Sequence, residues 1–208
     1  PYGQVIQDVL IHPNGSIFLA GFYYLAASGD QREMYVARIT PEGIFSMGGT
    51  SGITYWNSGY AGFSAYNRNQ GTGLTLLPNG QVVLCGFIQH NDYTRYIYLK
   101  KFTEEGYPVD AFGQNGQVFD QVGLDSWAKA ITTTTDGKLI VVGQSEGVFG
   151  FAIKYSAGGV RDMTFGNNLG AYKKSIFLTG KIAVQSDGKI LILGNLWDYN
   201  NPDTWLVR

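Results

Sequence analysis

Aromatic and amide side chains crowd three regions of this chain. They are Phe22-Tyr23-Tyr24; Tyr60, Phe63, Tyr66 and Asn67, followed by His90-Asn91-Asp92-Tyr93; and Trp197-Asp198-Tyr199-Asn200-Asn201. Rings supply rigid apolar area, while Asn and Asp supply directional hydrogen bonds. Together they suit contact with a glycan or a protein surface. The candidate binding residues are Tyr23, Tyr24, Tyr60, Tyr66, Asp92, Tyr93, Trp197, Asp198 and Tyr199. The competing reading has the same side chains covering the edge of the fold or packing on neighbouring loops.

Other chemistry is sparse. His12 and His90 are the only histidines. His12 precedes Pro13 at a turn, which predicts a surface histidine rather than a general base. No Gly-x-Ser-x-Gly elbow, His-Glu-x-x-His pair or phosphate loop occurs. Asp92 and Asp198 could pair as glycosidase carboxylates only if they converge across a cleft. Asp8, Asp120, Asp125 and Asp203 are possible calcium ligands, but no Asp-x-Asp-x-Asp-Gly loop holds them. No metal, no cofactor and no catalytic residue is therefore expected. Cys85 is the single cysteine, which excludes an intramolecular disulfide and a cysteine-rich zinc site. It lies in an apolar run and reads as a small buried hydrophobe. The net charge of −1 supplies no field for nucleic acid or an anionic membrane. No apolar run reaches the ~20 residues of a spanning helix. The chain opens without a signal peptide, so a targeting segment would have to be already removed or lie outside it.

The elements that position these residues recur. Asn14-Gly15, Asn79-Gly80, Asp136-Gly137 and Asp187-Gly188 each precede an apolar run that ends in Gly21, Gly86, Gly143 or Gly194. The copies are 65, 57 and 51 residues apart. A repeat of this length signals a modular array. A second strand follows, with Tyr35, Tyr98, Phe151 or Trp205 three residues before Arg38, Lys101, Lys154 or Arg208. Alternation puts the aromatic and basic columns on opposite faces. The basic column reads either as an anion-binding ring or as solvated and ion-paired cations on an outer strand, and the second is preferred.

Val9, Leu74, Ile131 and Ile182 mark a strand before each turn. A weaker one lies earlier still, at Ile53-Thr54-Tyr55-Trp56, Gln117-Val118-Phe119 and Ser175-Ile176-Phe177. Each unit thus has four short strands, here a to d. Unit one keeps only Gly3-Gln4-Val5 as an echo of strand a. With 29 glycines in 208 residues and 15% charged residues, the composition fits many turns joining many strands. The prediction is an all-β fold, a β-propeller of four repeat units or blades, each of about four antiparallel strands. The whole chain forms one domain, with units near 1–48, 49–110, 111–166 and 167–208. Four sheets bury all their faces only if the first meets the last, so a closed ring is expected. An open arc would expose apolar blade faces and associate. The Asx-Gly turns predict two-residue type I′ hairpins.

These motifs resemble the bacterial delta-sixty type propeller repeat. Asp136 to Gly143 and Asp187 to Gly194 match its Pro-Asp-Gly-Lys-Ile-Val-Val-Ala-Gly-like core. Pro13-Asn14-Gly15 and Pro78-Asn79-Gly80 match with Asn for Asp. Its linker appears as Asp110-Ala111-Phe112-Gly113-Gln114-Asn115-Gly116 and Asp162-Met163-Thr164-Phe165-Gly166, and in degenerate form as Phe45-Ser46-Met47-Gly48. The resemblance implies a secreted or surface-exposed bacterial protein and implies no reaction.

Strand order places the b–c turns and d–a linkers at one end, and the a–b and c–d loops at the other. The second set varies: from the strand-c glycine to the basic residue the gaps are 17, 15, 11 and 14 residues. A rigid frame with divergent loops on one side is a recognition scaffold. The expected function is a non-catalytic, extracellular interaction module with a protein partner or surface glycan. The alternative is a lectin or carbohydrate-active enzyme using the same loop face.

Overall fold

The computed structural model describes residues 3–25, 31–46, 53–55, 68–89, 93–147, 149–166, 169–175, 177–195 and 204–207. They form four antiparallel sheets. Sheet one holds β1 (Gln4–Ile11), β2 (Ile17–Tyr24), β3 (Arg32–Ile39) and β4 (Ile53–Tyr55). Sheet two holds β5 (Gln70–Leu76), β6 (Val82–Gln89), β7 (Arg95–Phe102) and β8 (Gln117–Asp120). Sheet three holds β9 (Ser126–Thr133), β10 (Leu139–Ser145), β11 (Phe149–Tyr155) and β12 (Ala171–Lys174). Sheet four holds β13 (Phe177–Val184), β14 (Ile190–Asn195) and β15 (Thr204–Val207). This is a four-bladed, propeller-like arrangement. Each strand a closes the sheet of the unit before it: β4, β8 and β12 pair with β3, β7 and β11. The last of them lies at Ala171–Lys174, ahead of the expected Ser175-Ile176-Phe177, whose Phe177 opens β13. The Gly3-Gln4-Val5 echo therefore belongs to the start of β1, a strand b.

The hairpin turns are all of one kind, though not the expected one. His12 N–H donates to Ser16 O at 2.8 Å, and Gly15 N–H returns to His12 O at 2.9 Å. The same pair of bonds recurs at Leu77–Gln81, Thr134–Lys138 and Gln185–Lys189. Only the glycine of each turn has positive φ, between 78° and 86°. A type I′ turn needs positive φ at both central residues, so these are type I turns followed by a glycine bulge. The preceding Asx side chain braces the loop: Asn14 Oδ1 accepts Ser16 N–H at 2.9 Å, and Asp187 Oδ1 accepts Lys189 N–H at 3.1 Å.

The strand-c glycines answer to a bulge in the neighbouring strand b of the same sheet. A Cβ on Gly21 would lie 1.9 Å from Val5 O, on Gly86 2.0 Å from Gln70 O, and on Gly143 2.1 Å from Trp127 O. Each site sits where the b–c register slips by a residue. The bulge aims a carbonyl at the facing strand, and only glycine leaves room for it.

Consecutive sheets pack face to face. Phe18, Ala20, Met34 and Val36 of sheet one meet Leu74, Val82, Leu84 and Tyr98 of sheet two. Val83, Cys85 and Leu99, on the opposite face of sheet two, meet Ile131, Leu139, Val141 and Phe151 of sheet three. Ile140, Val142 and Ala152 then meet Ile182, Ile190 and Ile192 of sheet four. Cys85 is fully buried, and burial pushes its thiol up to about 12. The aromatic column supplies Tyr98 and Phe151 to these interfaces, both nearly inaccessible.

Polar ties run between the same sheets. Asp8 Oδ2 accepts Leu74 N–H at 2.7 Å. Lys101 Nζ donates to Ala157 O at 3.0 Å. Tyr155 and Arg161 both donate to the Asp120 carboxylate, each at 2.8 Å.

Among the described strands the expected closure does not occur. Among the described strands, each sheet packs on the next in sequence, and sheet four forms no comparable interface with sheet one. The sheets form an arc.

Candidate functional site

Among the described residues, two places in the arc gather polar or charged side chains where a ligand could sit, apart from a mostly apolar cavity of about 330 Å³ between sheets three and four, beside Phe165, Tyr172 and Ile190. The first is a cavity of about 370 Å³ where the inner strands β1, β5, β9 and β13 converge, lined by Asp8, Thr72, Lys129 and Lys181 among others. Asp8 and Thr72 already serve the frame. Asp8 also accepts Val9 N–H at 2.9 Å, and Thr72 Oγ1 donates to Ala128 O at 3.0 Å. Burial holds the Lys129 ammonium below its ordinary pKa.

The second is the a–b and c–d loop face, where sheets two and three meet. Asp125, between β8 and β9, receives Arg95 from the start of β7. Oδ1 accepts the Arg95 backbone N–H at 2.8 Å and its Nε–H at 3.0 Å, while Nη2 pairs with Oδ2. Burial would raise the Asp125 carboxyl, but the Arg95 hydrogen bonds and charge outweigh it and hold it below the usual value. The guanidinium also stacks on Trp127, 3.6 Å from the ring centroid, a geometry that favours Arg over Lys. Asp125 O accepts Glu146 N–H at 2.8 Å, tying in the β10–β11 loop.

Around this braced cluster stand two exposed apolar groups, Tyr93 at 70% and Leu124 at 82%. Tyr93 has φ 68°, a conformation that costs a bulky residue. Gln89 Nε2 donates to its carbonyl at 3.2 Å. Sheets one and three add cations over rings on the same face. Arg32 lies 5.3 Å from Phe22 and 5.9 Å from Tyr24, and Lys173 lies 4.5 Å from Phe149.

The nine candidate residues fare differently. Tyr93 is exposed. Tyr23 hydrogen-bonds Glu33 at 3.2 Å, and Tyr24 packs edge-on against Phe22; both are half-buried and engaged within sheet one. Tyr60, Tyr66, Asp92, Trp197, Asp198 and Tyr199 lie outside the described residues, as do His90 and Asp203. Arg95, Leu124 and Trp127 join Tyr93 on this face without a signal in the sequence. Arg95 and Trp127 sit at strand ends that read as frame, and Leu124 is one apolar residue in a short loop.

His12 requires a correction: it is buried, 4% exposed, not a surface residue. Its Nδ1 accepts Asn14 N–H at 3.2 Å, leaving Nε2–H to donate to Gly80 O at 2.9 Å across two sheets. Asp8, Asp120 and Asp125 are occupied by the partners given above, and among the described residues no three His, Cys, Asp or Glu side chains form a metal-binding group. No helix among the described residues is long and apolar enough to cross a membrane. Arg38 Nη2 donates to Ser16 Oγ at 2.8 Å, and Lys154 pairs with Asp162 at 3.8 Å. With Lys101, these place three of the four basic-column residues in ties rather than in a shared anion ring; Arg208 lies outside the described residues.

Residues 185–208 match a β-propeller domain of unknown function, DUF5122. The match spans the last turn motif and the final two strands, and it agrees with the fold. No curated protein matches the chain. Among solved structures, one similar protein is provisionally described as a gluconolactonase. It shares 13% identity at a TM-score of 0.42, with 90% of this chain and 54% of that one covered. The chain thus spans about half the length of that protein. A likeness this distant transfers no activity.

Proposed function

We propose that this protein is a non-catalytic interaction module that binds another protein through the loop face around Tyr93. The observation that carries this reading is an exposed aromatic, held in an unfavourable backbone conformation, on a cluster braced by Arg95, Asp125 and Trp127. Local strain of this kind concentrates at functional sites. An exposed Tyr two residues before Arg95, and an exposed Leu next to Asp125 with its N–H donating to Glu146, give this face the composition of a protein contact. The turn, strand and linker motifs resemble the delta-sixty type repeat. That resemblance supports a place outside a bacterial cell, and the modest net charge argues against nucleic acid as partner.

The test is a binding screen of the chain against bacterial surface proteins and a glycan array, with Tyr93→Ala and Leu124→Ser as controls. The reading predicts a protein ligand whose affinity falls at least about tenfold in each variant, an effect expected of central interface residues. Glycan binding lost in the same variants would replace it with the lectin reading. Hydrolysis of a bound glycan would replace it with the enzyme reading.

A further inference from the structure

Among the described residues each end sheet of the arc leaves apolar side chains partly exposed, and the interfaces inside it show what covers such faces. Register defines the equivalent positions. Val9, Ile11, Ile17 and Leu19 stand in sheet one where Leu74, Leu76, Val82 and Leu84 stand in sheet two. In sheet two these residues form the face that packs on the preceding sheet. Leu74 is 7% exposed, and Val82 and Leu84 are inaccessible. In sheet three the equivalent Ile131, Leu139 and Val141 are likewise buried. In sheet one the same face is open. Val9 is 53% exposed, Ile11 75%, and Ile6 beside them 54%, while Ile17 and Leu19 are half-buried.

The other end of the arc carries the complementary face. Leu191 of β14 takes the place of Phe18, Val83 and Ile140, which are fully buried against the following sheet. Leu191 is half-buried, and Ala183 beside it is exposed where Thr75 is buried. The first face is therefore built to receive what the second presents, because that pairing recurs between sheets one and two, two and three, and three and four.

We infer that a second copy of this chain seats on these faces head to tail, the fourth sheet of each copy packing on the first sheet of the other. Such a contact is heterologous, and it closes when the rotation between copies is two-fold. Two four-sheet arcs then make a ring of eight, within the range of four to eight blades that propellers adopt. Closure removes both apolar patches from water, and exposed patches of this kind mark association sites.

Light scattering on the 208-residue chain tests this, together with Val9→Lys and Ala183→Lys. Both substituted residues are exposed in the single copy, so both variants fold, which circular dichroism checks. The inference predicts a species of about twice 22.8 kDa that falls to the single-chain mass in either variant. A wild-type monomer throughout the micromolar range overturns it. So does a doubled mass that both variants leave intact. Neither variant touches Tyr93, so failure here leaves the loop-face reading to its own test.

Discussion

β2 and β6 occupy the same place in successive sheets and carry the same pattern, IFLAGFYY against VVLCGFIQ. Every residue of β6 is buried, whereas β2 alternates between buried and half-buried over its first four residues. The difference lies in neighbours, not in sequence: among the described residues sheet two has a sheet on each side, and sheet one has a sheet on one side only. Repeat arrays behave this way in general, since each unit is stabilised by its own fold and by nearest-neighbour interfaces. Hydrophobic pattern therefore marks the faces that can be buried, and stacking decides which of them are.

The comparison breaks most sharply at the strand-c glycines, because their constraint is internal to each sheet. Gly86→Val and Gly21→Val both drive a Cβ into a carbonyl about 2 Å away. Each should cost about 3 kcal/mol or more, measured as a shift in denaturant midpoint. Near-equal losses in sheets one and two are expected, and a mild Gly21→Val would place the clash between sheets instead.

Leu84→Ala and Leu19→Ala should separate the two sheets. Leu84 is inaccessible and its truncation should cost about 3 kcal/mol through the cavity left behind. Leu19 is half-buried and should cost about 1 kcal/mol. These values apply at dilutions where the chain is monomeric, and equal losses there would mean that sheet one is covered after all.

A smaller effect contrasts frame with loop face. Tyr93→Gly removes a left-handed strain of about 1 kcal/mol, so melting should show a modest gain in stability, while binding at the loop face is lost. A loss of stability would make Tyr93 a structural residue and remove the basis for its recognition role.

The smallest effect is the acid sensitivity of the Arg95–Asp125 tie. The Asp125 carboxyl is held below its ordinary value. Its contribution is therefore full above the unfolded value near about pH 4 and fades as pH falls through the folded one. Asp125→Asn should cost about 1 kcal/mol at neutral pH, the upper end for a partly exposed pair, and should flatten that acid limb. An unchanged acid limb would show that Asp125 does not titrate with folding.

The local parts of this fold are legible in the chain. Turn glycines and apolar runs locate β2, β6, β10 and β14, because a bulge and a hairpin need their residues at fixed short spacing. Long-range parts are not. His12 reads as a surface turn residue because its partner, Gly80, lies 68 residues away. Val9 and Leu74 read alike, and only packing tells them apart. Strand a reads as part of the unit it opens and pairs instead with the unit before it, because spacing fixes a strand and not its partner. At the loop face, the aromatic bias pointed to Tyr93, but Arg95, Asp125 and Trp127 converge from different strands and loops and leave no contiguous motif.

The most direct measurement is amide hydrogen exchange in the Val9→Lys variant, comparing β1 with its equivalents β5 and β9. These strands share their hairpin register and differ in whether a preceding sheet covers them. If sheet one has a free face, β1 amides exchange well ahead of those in β5 and β9, by local opening rather than global unfolding. Equal protection of all three strands in that monomer would contradict the arc and mean that the ring is closed.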